Sequence, residues 1–256
     1  MTKVEEENNR ALDGLEALTG LLEQDVAAFA RSSEDQRPFL VGWGLLAALH
    51  GQASAVVLLH RKGLGHEAAP NRRLMIEYMA QLQWLARDGE DAVDSMNKAF
   101  QHTQDRLRRT IDEGGVFSYD AEVAASADAV AAAVIPPNAA NQYSNTSQLL
   151  RSLAPKGLLE AWLGETQLSH SGLTAAQAFR DDSGQAVRLL ARPEYGKTPD
   201  PSERSPLMAF MLLHLGMDAF NALMVGKPWT ADLDRIGREF GLVEGDKPAG
   251  RHAVTA

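Results

Sequence analysis

The sequence predicts an all-α fold, a multi-helix bundle of roughly eight to ten helices. Apolar residues recur at spacings of three and four from end to end, alternating runs of β-branched residues are absent, and prolines and glycines fall where helices should start and stop. With 256 residues, 45% of them hydrophobic, the chain can bury a large core. Residues 1–243 read as a single helical domain and 244–256 as a disordered polar tail.

The first helix is expected from Val4 to Ala30, with Leu12, Leu15, Leu18, Leu22, Val26 and Phe29 on one face and a break at Ser32-Ser33. Pro38 suits the first turn of a second helix, whose stripe is Phe39, Trp43, Leu46, His50, Ala53, Val57 and His60. His50 and His60 read as satisfied core residues there. Gly63 and Gly65 interrupt it, and a third helix begins near Pro70, with Leu74, Tyr78, Leu82 and Leu85 on its apolar face and Asp88-Gly89 at its end. A more polar helix follows through Met96 and Phe100 to Ile111, then an alanine-rich one from Ala121 to Val134 that halts at Pro136-Pro137.

Beyond the polar loop Asn138–Thr146, shorter helices are expected over Gln148–Leu153, Gly157–Leu163 and Glu165–Phe179. Asp181–Pro206 reads as a long surface loop able to cover a site, with at most a short helix around Val187–Leu190. Leu207–Val225 is apolar on all sides except at His214, Asp218 and Asn221, which predicts a mostly apolar central helix near the C-terminal end of the bundle. It approaches membrane-spanning length. An Asp, a His and an Asn together inside a bilayer would be costly, so no membrane association is expected.

Composition removes several function classes. The net charge of −9 and pI near 5.3 repel a polyphosphate backbone, so broad nucleic-acid binding is not expected. The densest basic cluster, Arg106, Arg108 and Arg109, reads as a solvated helix face. No cysteine occurs, which excludes disulfides, thiolate metal sites and cysteine nucleophiles. The start Met1-Thr2-Lys3-Val4-Glu5-Glu6-Glu7 lacks the pattern of a secretory signal, so a cytoplasmic location is expected. Phosphate loops, nucleophile elbows, His-Glu-x-x-His and Glu-x-x-His pairs are all missing from the sequence, so neither a cofactor nor a metal is expected.

Histidine, carboxylate and hydroxyl chemistry remain. His214 and Asp218, four apart on one face, read as a hydrogen-bonded pair that sets helix register, as part of a ligand pocket, or as a metal site. Glu165 and His170 do not share a face. Arg73 and Glu77 are also four apart, on a line that continues into Ala80 and Trp84; facing inward, each charge requires a partner. His170, set among Leu168, Leu173 and small residues, is the partner expected from another helix, so Arg73, Glu77 and His170 should form one buried polar cluster. The same three are the catalytic candidates. The ligand-binding candidates are Arg73, Glu77, Trp84, Ser169, His170, His214 and Asp218.

The run from Ala55 through His60-Arg61-Lys62-Gly63-Leu64-Gly65-His66-Glu67-Ala68 and Arg72-Arg73-Leu74-Met75-Ile76-Glu77 to Trp84-Leu85-Ala86 resembles the core of a bacterial helical family known as a domain of unknown function, number 5677. Glu165-Thr166-Gln167-Leu168-Ser169-His170-Ser171-Gly172 is similar to that family's second motif, a Ser and a His at the head of a helix. The resemblance implies an all-α bundle in which Arg73, Glu77, Ser169 and His170 meet. Its general shape is also similar to HEPN domains, many of them dimeric ribonucleases that use an Arg and a His four to six residues apart. The matching pair here is Arg61 and His66, spanning a loop at Lys62–Gly65. Two functions follow as expectations. One is a binding or regulatory helical module, a homodimer with an internal polar pocket for a small-molecule ligand. The other is a HEPN-like ribonuclease or a stress or defence toxin-type enzyme, with His170 or His66 as general base and an Arg on phosphate.

Overall fold

The computed structural model describes residues 1–23, 35–114, 122, 125, 128, 134–153, 155–184, 186–196 and 200–242. Among these lie nine α-helices: α1 (Lys3–Leu22), α2 (Arg37–Arg61), α3 (Ala69–Asp88), α4 (Glu90–Asp112), α5 (Thr146–Ser152), α6 (Leu158–Ser169), α7 (Leu173–Gln177), α8 (Ser205–Asn221) and α9 (Thr230–Glu239). A 3₁₀ helix (Ala139–Ser144) lies between α4 and α5. An antiparallel ribbon joins β1 (Arg180–Asp181) to β2 (Arg188–Leu189), so the short helix expected around Val187–Leu190 is a strand instead. The all-α class is as the sequence predicts.

Local signals explain the helix starts. Thr2 caps α1 by accepting the Glu5 N–H at 3.2 Å while the Glu5 carboxylate accepts the Thr2 N–H at 2.7 Å, a reciprocal capping box. Proline stands in the first turns of α2, α3 and α8, where its missing N–H costs no helix bond. The expected extension of α1 to Ala30, the break at Ser32-Ser33, most of the alanine-rich helix and the tail 244–256 lie outside the described residues.

Helix α8 is the centre of the bundle. It packs on α1, α2, α3 and α9, and Ala209, Phe210, Leu212, Leu213, Met217 and Phe220 are all closed to solvent. Gly216 lets α2 and α3 approach: a Cβ there would strike the Leu49 side chain and come within 3.2 Å of Leu82. Asn221 is 1% exposed and satisfied, accepting the Trp229 N–H at 3.0 Å and donating to the Thr230 hydroxyl at 2.9 Å, which ties α8 to α9.

The expected stripes are rotated in two helices. On α2 the buried line is Phe39, Gly42, Leu46, Leu49, Ala53 and Val56, while Trp43 is 37% exposed and His50 and His60 are half-buried. On α3 it is Arg72, Met75, Ile76, Met79, Ala80, Leu82, Trp84 and Leu85, with Leu74 and Tyr78 at its edge. By length and composition α2 is the helix among the described residues that is apolar enough to cross a membrane, and only 28% of its most apolar window is buried.

Candidate functional site

Arg72 stands in the first turn of α3, in phase with Met75, Ile76, Met79 and Leu82, so the register that buries those residues buries it too. Its side chain is fully closed to solvent and needs anionic and carbonyl partners. Glu165, near the middle of α6 and in phase with Leu158, supplies the charge: Nε donates to its Oε1 at 2.8 Å. Nη1 donates to the Gly65 carbonyl at 2.6 Å and to the Ser205 hydroxyl at 3.0 Å. The Ser205 hydroxyl in turn donates to the Ser202 carbonyl at 2.6 Å, and Ser202 donates through its N–H and hydroxyl to Asp200. A Cβ on Gly65 would lie 2.5 Å from the Ser202 hydroxyl, so this close turn admits no side chain. The start of α3, the middle of α6 and the start of α8 thus converge on one guanidinium.

One arm of the ion pair is incomplete. Arg72 Nη2 and Glu165 Oε2 are both buried and carry no hydrogen bond among the described residues. Glu165 also lines a cavity of about 670 Å³ between α6, α7 and residues 194–196 and 201. Ala161, Leu168, Ala178 and Pro201 give it apolar wall, while Gln177, Arg180, Glu194 and Tyr195 give it polar wall. The Tyr195 hydroxyl contacts His66 Nδ1, and the His66 ring stands edge-on to Phe179 with centroids 5.2 Å apart. Burial, and then the negative charge of Asp200, push the Tyr195 phenol up to about 12. At neutral pH it is therefore a hydroxyl and not a base. His60, half-buried at the end of α2, is held below the usual imidazole range by burial, with Asp200 opposing.

The sequence-based candidates do not assemble as expected. Arg73 and Glu77 pair at 3.0 Å, but both are partly exposed, with 28% and 21% of their side chains open to solvent. Their third member is Trp162 of α6, whose indole N–H donates to Glu77 at 2.7 Å and whose ring lies 5.6 Å from the Arg73 guanidinium carbon. His170 is exposed at the C-cap of α6, so it does not complete a buried cluster with Arg73 and Glu77. Ser169 is the last residue of α6 rather than near the start of one helix running from Glu165 to Phe179, and its hydroxyl donates to the Glu165 carbonyl at 2.6 Å. Trp84 is buried and edge-on to Tyr143. His214 and Asp218 are not a pair: His214 Nε2 contacts the Leu233 carbonyl at 2.9 Å, while Asp218 faces solvent. Arg61 is exposed and His66 buried, and His66 sits in the turn before α3, outside any helix. Arg106, Arg108 and Arg109 are exposed, as a solvated face should be.

No protein-family model, curated protein or solved structure matches the chain.

Proposed function

We propose that the chain is a helical binding module whose cavity between α6, α7 and residues 194–196 and 201 holds a small molecule. The observation that carries the reading is the joining of that cavity to a buried, half-satisfied ion pair. Glu165 belongs to both, with one oxygen committed to Arg72 and the other without a partner among the described residues. Polar groups set in a concave, largely apolar wall orient ligands in binding sites generally, here Gln177, Glu194 and Tyr195, and the volume suits a small organic molecule. Arg72 fixes the carboxylate rather than touching the ligand, because it is wholly enclosed.

A fragment screen followed by amide-resolved NMR tests this. Binders should shift the amides of Glu165, Gln177 and Ala178, and Gly164→Trp should abolish those shifts. Gly164 lines the cavity, is exposed, and a Cβ there meets nothing within 4 Å, so a large side chain can be placed at the cavity wall without a clash at its first atom. Binders that shift other amides only, or that tolerate Gly164→Trp, overturn the reading. Cleavage of single-stranded RNA that disappears in His66→Ala would put a ribonuclease in its place.

A further inference from the structure

We propose that a second cavity, a groove of about 400 Å³ between α1 and α2 with Leu213 of α8 behind them, binds a short aliphatic zwitterion, an ammonium at one end and a carboxylate at the other. It shares no lining residue with the cavity beside Glu165, so the two sites stand or fall separately. Both helices pack on α8, and they pass one another in opposite directions. Thr19 meets His50 across the gap, while Glu7 and Asn8 at the start of α1 reach Arg204 and Glu203. Those two follow Ser202, which lies against Gly65 just beyond the end of α2.

The hydroxyl protons set the polarity of one end. The Thr19 hydroxyl donates to the Leu15 carbonyl at 2.9 Å and the Ser54 hydroxyl to the His50 carbonyl at 3.1 Å, so each offers the groove only lone pairs. In its 3.2 Å contact with Thr19, His50 Nε2 must then carry the proton. That leaves Nδ1 of the neutral imidazole an acceptor, neither enclosed nor partnered among the described residues. Glu16, one turn along α1 from Thr19, is exposed and makes no ion pair among the described residues. Three neutral acceptors and a carboxylate call for a group that donates several hydrogen bonds and carries positive charge, which is an ammonium.

The other end has the opposite sign. Seven residues after Ser54, roughly 10 Å along the axis at about 1.5 Å per residue, α2 ends at Arg61, the cation among the described lining residues. Arg61 is exposed and makes no ion pair among the described residues, so its planar fork is free for a carboxylate. Leu12 and Val57, each seven residues from the Thr19–His50 contact, give apolar wall between the two ends. Acceptors, apolar wall and cation thus follow one another along the groove.

Four probes of one length test the assignment: 6-aminohexanoate, n-hexylammonium, hexanoate and n-hexanol, titrated into the full chain and read at the Thr19, Ser54 and Val57 amides. The zwitterion should bind about threefold more tightly than either single-headed ion and about tenfold more tightly than hexanol, the gain of one exposed ion pair at each end. Glu16→Gln should remove its advantage over hexanoate, and Arg61→Gln its advantage over hexylammonium; both side chains are exposed, so the fold is retained. Under mildly basic conditions, long-range proton–nitrogen spectra should show His50 protonated at Nε2 and bare at Nδ1. The reverse tautomer would undo the acceptor assignment, and a single-headed ion that binds as tightly as 6-aminohexanoate would remove the zwitterion. No shift at the three amides, or shifts confined to Glu165, Gln177 and Ala178, would overturn the site itself.

Discussion

Successive residues on an α-helix are turned by about 100°, and that angle decides what two adjacent arginines can do. Arg72 points into the protein with no exposed side-chain surface, so removing its partner strands a charge in low dielectric, whereas Arg73 remains partly in water. Arg72→Met or Glu165→Leu alone should therefore cost about 3 to 5 kcal/mol in urea melts, and the double variant should recover most of that loss. Glu77→Gln should cost only about 1 kcal/mol, because its pair is solvated and the amide oxygen still accepts from Trp162. Equal losses for the two pairs would contradict this ranking. Of the site itself, the sequence revealed the chemistry but not the address. A buried Arg–Glu centre was legible, yet the i, i+4 spacing of Arg73 and Glu77 drew attention one residue away from the guanidinium that is enclosed. The better signal was phase: Arg72 continues the line of Met75, Ile76, Met79 and Leu82 back by one turn. Glu165 was hidden for a different reason, since a contact 93 residues away leaves no local mark. Tyr195 belongs to the same neighbourhood, and its raised phenol favours the fold fully below pH 10 and ceases to do so as pH climbs through about 12. A spectrophotometric titration of the folded protein should therefore contain a late tyrosine phase, and Tyr195→Phe should remove it.

At the scale of helices, periodicity located the elements well, and it failed where glycine and alanine blur the apolar face. On α2 the glycines and alanines at 42, 44, 47, 48, 51 and 53 carry little hydrophobic signal, so the large residues Trp43 and Val57 appeared to define the stripe. Small residues lie on both sides of α2: Gly42 and Ala53 belong to the buried line with Phe39, Leu46, Leu49 and Val56, while Gly44, Ala47 and Gly51 are exposed. A Cβ at Gly42 would stand 2.7 Å from Leu223. Gly164 marks a division between two helices by pattern alone, yet α6 runs through it, because a glycine within a helix costs only about 1 kcal/mol and packing against α3 compensates. The same distinction yields opposite outcomes for two glycines. Gly216→Ala forces Leu49 out of a fully buried position and should destabilise by about 1 to 3 kcal/mol despite better helix propensity. Gly51→Ala, on the outer face of α2 with nothing within 4 Å, should stabilise by up to about 1 kcal/mol. Thermal melts with the same sign for both would show that crowding at α8 is not what sets its glycine.

Across the whole molecule, the outer face of α2 is the surface that best fits the expectation of a homodimer. From Pro38 to His60 the helix holds no Lys, Arg, Asp or Glu, and Leu40, Leu58 and Trp43 are 64%, 59% and 37% exposed around Gly44, Ala47, Gly51 and Ser54. A neutral apolar face is complementary to a second copy of itself. Its size sets the strength: 25 residues at about 1.5 Å rise and a face about 10 Å wide give roughly 370 Å². That is about half of the roughly 800 Å² per partner found in stable complexes, so a dimer formed through this face is expected to be weak and reversible. The net charge of −9 on each copy opposes the encounter, which fixes the sign of the salt effect. Sedimentation velocity should show a concentration-dependent dimer that strengthens as salt screens the repulsion, and L40K/L58K should abolish it while leaving helicity and fragment binding intact. A tight dimer indifferent to that double substitution would place the interface elsewhere. Flotation of the wild type with neutral lipid vesicles, lost in the same variant, would assign the face to a bilayer surface instead of a second chain.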